Sequence, residues 1–99
     1  MTADPRFPRV LEALLQAIDE VNSILPNSQK LERAATLALH GPSSQLESIT
    51  LINLLVAAEE KLSASLGQSP PLTTLIADVD PARYATLNDL AHLTLEALE

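Results

Sequence analysis

The hydrophobic positions of this chain recur at helical spacing almost throughout. Phe7, Leu11, Leu14, Ile18, Val21 and Leu25 follow one another at intervals of three or four residues, which puts them on one stripe of a helix. Val10, Leu15, Ala17 and Ile24 widen the stripe, and Glu12, Gln16, Asp19, Glu20 and Ser23 fall opposite. Asp4 before Pro5 reads as a cap followed by a first-turn proline, so a first helix is expected from Pro5 or Pro8 to Leu25, ended by Pro26. A second, shorter helix is expected over Ser28–His40, capped by Asn27 or Ser28. Leu31, Ala34, Ala35, Ala38 and Leu39 would face inward, and Gly41-Pro42 would stop it.

The third helix carries the most informative pattern. Ser44-Gln-Leu-Glu47 has the form of a capping box, and the apolar periodicity then continues to Leu66, with Gly67 as a left-handed C-terminal cap. Leu51, Leu55, Ala58, Leu62 and Leu66 form one stripe; Leu46, Ile49, Ile52, Asn53 and Val56 form another on a different face. Only Thr50 and Asn53 are polar between Ile49 and Ala58. A helix that is apolar nearly all round is covered on more than one side. The longer, leucine-richer stripe is assigned to the core, which leaves the second for another chain. After the stiff Gln68–Pro71 linker, a short helix is expected over Leu72–Val79. A last helix is expected from Pro81 to Leu98, with Asp80 as its cap. Connections of a few residues make sequential helices antiparallel or steeply crossed neighbours. The fold class is therefore all-α: a compact bundle of four main helices plus one short helix, packed up-down or orthogonally. Residues 1–99 form a single helical domain.

Composition narrows the functions open to such a bundle. Thirteen acidic against six basic residues give a formal net charge of -7. The six cations, Arg6, Arg9, Lys30, Arg33, Lys61 and Arg83, are scattered and form no phosphate-binding patch, which argues against nucleic acid. One Phe, one Tyr and no Trp cannot build a base-stacking platform. The absence of Cys removes disulfides, thiolate nucleophiles and Cys-ligated metals, and fits a reducing compartment. Met1–Pro8 has no signal-peptide pattern. The longest nearly uncharged apolar stretch, Ile49–Ala58, is half of what a bilayer needs, so a cytoplasmic protein without membrane insertion is expected.

Candidate chemistry is sparse. Asp89, His92 and Glu96 share one face of the last helix and have the atoms of a divalent-metal site, although they lie opposite the apolar face, where a solvated polar stripe is the simpler reading. Asp78 and Asp80 resemble the start of a calcium loop, but Ala82 stands where the next oxygen ligand is needed. Lys30, Arg33 and His40 make the second helix locally basic. Adjacent Glu59 and Glu60 point about 100° apart and cannot share a proton. No cofactor is expected, and catalysis is not.

The expected function is that of a non-catalytic protein–protein interaction module, such as an adaptor, an assembly or secretion chaperone, or a small regulator. It would form a homodimer or a hetero-complex through Leu46, Ile49, Ile52, Asn53 and Val56, with Arg83 and Tyr84 as further contact residues. Asn53, set between Ile49 and Val56 in the seam of a helix pair, would fix register there. A small-molecule or metal-binding helical domain is the alternative reading, and an enzyme of another type the third.

Overall fold

The structure is a computed structural model and describes residues 5–27, 30–40 and 46–98, the side chain of Ser48 excepted. Four α-helices account for most of the described residues: α1 (Phe7–Asn22), α2 (Ser48–Leu66), α3 (Leu72–Ala77) and α4 (Leu87–Leu98), with a 3-10 turn over Pro81–Tyr84 before α4. No strand occurs among them, only an isolated antiparallel bridge between Ala38 and Thr86. The all-α class is therefore shown.

Helix α1 is the hub and packs on both α2 and α4. Its amphipathic pattern is used as written: Val10, Ala13, Leu14, Ala17, Ile18 and Val21 are buried, and Pro8 sits in the first turn, where no N–H is needed. The helix ends at Asn22, three residues before the expected Leu25. In α2 the fully buried residues Leu55, Ala58 and Leu62 belong to the stripe assigned to the core, and Leu54 joins them. Gly67 closes α2 with φ +77 and its N–H on the Ser63 carbonyl, the left-handed cap that glycine adopts without strain. Helix α2 begins at Ser48, later than the expected capping box at Ser44–Glu47 implies. Ser44 lies outside the described residues, and Glu47, extended just before the first turn, makes no side-chain cap bond.

The expected helix over Ser28–His40 is not a helix. Residues 30–40 form turns and irregular backbone with one bridge residue, Ala38. The hydrogen-bond pattern supplies the reason. Within a helix the carbonyls of Ala35 and Leu37 would serve amides four residues on; here they accept from Asn88 N (2.8 Å) and Leu87 N (2.9 Å), the free amides of the first turn of α4. Leu39 and His40 donate to the Ala85 carbonyl. Leu37 and Leu39, two residues apart, both pack on the core, as extended spacing requires. The entry of this segment is held by Asn22, whose amide oxygen accepts from Leu31 N (2.7 Å) and whose Nδ2 donates to Leu31 O (3.0 Å). This two-way bond imitates a strand pair and ties the segment to the last residue of α1.

The last helix also begins later than expected. Asp80 caps the 3-10 turn by accepting from Ala82 N (2.9 Å), and α4 starts afresh behind Thr86. Thr86 Oγ1 accepts from Asp89 N, and Asp89 Oδ2 accepts from Thr86 N, both at 3.2 Å, a reciprocal capping box. With Leu87 and Asn88 served by residues 35–37, the first-turn amides of α4 are satisfied. The one buried polar side chain among the core residues, Thr94, donates its hydroxyl to Leu90 O (2.8 Å). The folded surface, 5748 Å², is close to the roughly 5,500 Å² that size scaling gives for a chain of this mass, so any surplus of apolar surface lies in how it is distributed.

Candidate functional site

That distribution is uneven. Four large hydrophobic side chains stand out from the surface: Ile24 at 73% exposure, Ile49 at 61%, Ile52 at 47% and Val56 at 46%. The last three share one face of α2. At 100° per residue they lie across the helix from Leu55, Ala58 and Leu62, so α2 buries one apolar face against α1 and presents the other outward. Ile24 is brought to the same region by the turn that follows α1. Ile24 and Val56 line opposite sides of an open groove of about 270 Å³, together with Glu20, Val21, Ser23, Asn53, Ala57 and Glu60. Asn53 is exposed at the edge of this groove, between Ile49 and Val56.

The residues expected to make up the contact surface divide three ways. Ile49, Ile52, Asn53 and Val56 lie together on the outward face of α2. Leu46 does not join them; it is half-buried and packs on the core. Arg83 and Tyr84 belong to the 3-10 turn before α4. Tyr84 is buried at 9% exposure, its ring 6.0 Å from that of His40, and Arg83 pairs at the surface with Glu96. Their spacing placed them on the apolar side of a continuous last helix, and the break at Ala85 and Thr86 gives them separate roles. Ile24, missed as a surface residue, was grouped with the stripe of α1; it stands exposed in the turn beyond the last helical residue, Asn22.

The electrostatics of the groove are acidic. Its lining holds two carboxylates, Glu20 and Glu60, and no Lys or Arg. Glu20 meets Lys61 at 3.4 Å in an exposed pair between α1 and α2, and Glu60 makes no ion pair among the described residues. Farther round α1, Arg33 reaches back from the 30–40 segment to both carboxylate oxygens of Asp19 at 3.0 Å and to Glu12 at 3.3 Å. The hydrogen bonds to Asp19 are the main cause of an Arg33 pKa raised above its usual value. The cation once grouped with Lys30 and His40 is thus engaged in tying the segment down.

The trio on α4 is occupied with structural tasks. Asp89 completes the capping box, Glu96 holds Arg83, and the His92 ring lies on that of Phe7 at 4.7 Å. Among the described residues no group of three or more His, Asp or Glu side chains is placed to hold a metal ion. No helix among them is long and apolar enough to cross a membrane. The Thr86-x-x-Asp89 spacing was present in the sequence as a capping signal, hidden because the last helix was expected to run on from Pro81. No protein-family model matches this chain, and comparison with curated proteins and with solved structures returns no match.

Proposed function

We propose that this protein is a small, non-catalytic, cytoplasmic interaction module that engages another protein through the outward face of α2. The observation that carries the reading is the exposure of Ile49, Ile52 and Val56 on one helix face, with Ile24 across a shared groove. Single exposed hydrophobics are ordinary, but three on one helix face, of which Val56 shares a groove with Ile24, make the kind of apolar surface that a partner covers. Asn53 fits the same reading: an amide at the edge of an apolar surface offers a hydrogen bond that sets register without closing the surface to a partner.

The test uses the Ile49→Asp/Val56→Asp variant beside the unchanged chain, both as baits in native lysate and both in size-exclusion chromatography with light scattering. The variant is expected to keep its helical circular dichroism and melting temperature, because both side chains already face water, and to lose the binding or self-association shown by the unchanged chain. Equal binding by the two proteins refutes the assignment of this face. Loss of the fold in the variant refutes it too, by returning these residues to the core.

A further inference from the structure

Resting on that reading, we infer that the partner is a basic amphipathic helix of another protein, seated with its apolar stripe on Ile24 and Val56 in the groove and on Ile49 and Ile52 beside it, and with its Lys or Arg side chains against Glu20 and Glu60. Two features on the groove's own walls share one sign. Glu20 and Glu60 flank it with no Lys or Arg in the lining. The C-terminal end of α1 forms another part of its wall through Val21, Ser23 and Ile24, and the last turn of that helix contains no basic residue. The negative pole of the α1 dipole, equivalent to about half an elementary charge, is therefore uncompensated by its own helix. Lys61, 3.4 Å from Glu20, offsets that carboxylate in part, so Glu60 and the α1 C-terminus carry most of the groove's negative charge. The chain as a whole adds a formal charge of -7, which draws a cationic partner and repels an anionic one.

The same charges select against a second copy. Two-fold pairing of this face would set Glu60 and the α1 C-terminus of one protomer against an equally acidic surface, with Lys61 already engaged by Glu20. The shape selects a helix. Ile49, Ile52 and Val56 span two helical turns, about 10 Å, which matches apolar residues at i, i+3 or i+4, and i+7 on a partner helix. The groove between Ile24 and Val56 admits one such side chain as an anchor, and a cation one turn to either side comes within reach of Glu20 or Glu60.

The experiment measures fluorescence anisotropy with two labelled synthetic helical peptides. Both carry Leu at i, i+3, i+4 and i+7; one flanks them with Lys and the other with Glu. The proteins are the unchanged chain, Glu20→Gln/Glu60→Gln, and Ile24→Ser/Val56→Ser, each checked for an unchanged circular dichroism spectrum. The Lys peptide is expected to bind and the Glu peptide not to. The Glu20→Gln/Glu60→Gln variant should weaken the Lys peptide about fivefold, as two exposed charge pairs do, and added salt should remove that difference. The Ile24→Ser/Val56→Ser variant should abolish binding. Equal binding of both peptides, or no effect of Glu20→Gln/Glu60→Gln, overturns the basic partner while leaving the apolar contact surface standing. Binding unaffected by Ile24→Ser/Val56→Ser overturns the surface itself. A stable dimer of the unchanged chain that Ile49→Asp/Val56→Asp dissolves overturns the hetero-partner in favour of a second copy, and failure of the Lys peptide to bind also overturns the inference.

Discussion

Replacing Asn22 with Ala distinguishes a clamped, irregular 30–40 segment from a helical one by the sign of its effect. The Asn22 amide makes two hydrogen bonds to the backbone of Leu31, at 2.7 and 3.0 Å, in a partly buried setting. A protein hydrogen bond contributes about 0.5–1.5 kcal/mol net. Water reaches the freed Leu31 groups in part, so a loss of about 2 kcal/mol is expected for the pair. Were residues 28–40 a helix with its own hydrogen bonds, Asn22 would be a polar residue at the end of α1, and Ala would stabilise by up to about 0.7 kcal/mol through propensity. Urea denaturation followed by circular dichroism reads the difference. Thermal melting should show a fall of about 8–16 °C. Amide exchange supplies a local check: Leu87 and Asn88 donate to carbonyls of the clamped segment, so their protection should fall with it. A variant as stable as the unchanged chain, or more stable, refutes the account of the 30–40 segment.

The remaining predictions concern the two faces of α2 and the helix ends. Leu54→Ala removes a fully buried side chain and should cost about 2–5 kcal/mol in urea denaturation, whereas Ile52→Ala on the outward face should stay within about 0.5 kcal/mol. Thr86→Ala removes one half of the α4 capping box and should cost about 1 kcal/mol, with Thr86→Ser restoring most of it. Gly67→Ala meets no atom within 4 Å of the new Cβ, so its cost should be the left-handed backbone alone, about 1–2 kcal/mol by thermal melting.

The outward face of α2 was legible because exposure is written into helical periodicity. Ile49, Ile52 and Val56 recur at three and four residues, and the competing stripe through Leu55, Ala58 and Leu62 is longer and better able to fill a core. The other half of the groove was not legible. Ile24 fits the α1 stripe by spacing alone, yet it lies in the turn beyond Asn22 and is exposed. Tyr84 and Arg83 were misassigned for the same reason: a periodic count carried straight through Ala85 and Thr86, where the backbone restarts behind a new cap.

Local rules by themselves determined that the chain is all-α, that α1 is an amphipathic helix and α2 one with two apolar faces, the longer turned inward, that Gly67 ends α2, and that the surface is acidic. Each depends on residues within a turn or two of one another, through side-chain spacing, backbone freedom or simple charge. Tertiary structure alone decided the conformation of residues 30–40. That segment has the alanines and leucines of a helix, but its carbonyls at Ala35 and Leu37 are worth more to the open amides of Leu87 and Asn88, some fifty residues away, than to its own chain. A short helix is marginal on propensity, and a buried helix end left without partners is costly. The distant demand therefore prevailed.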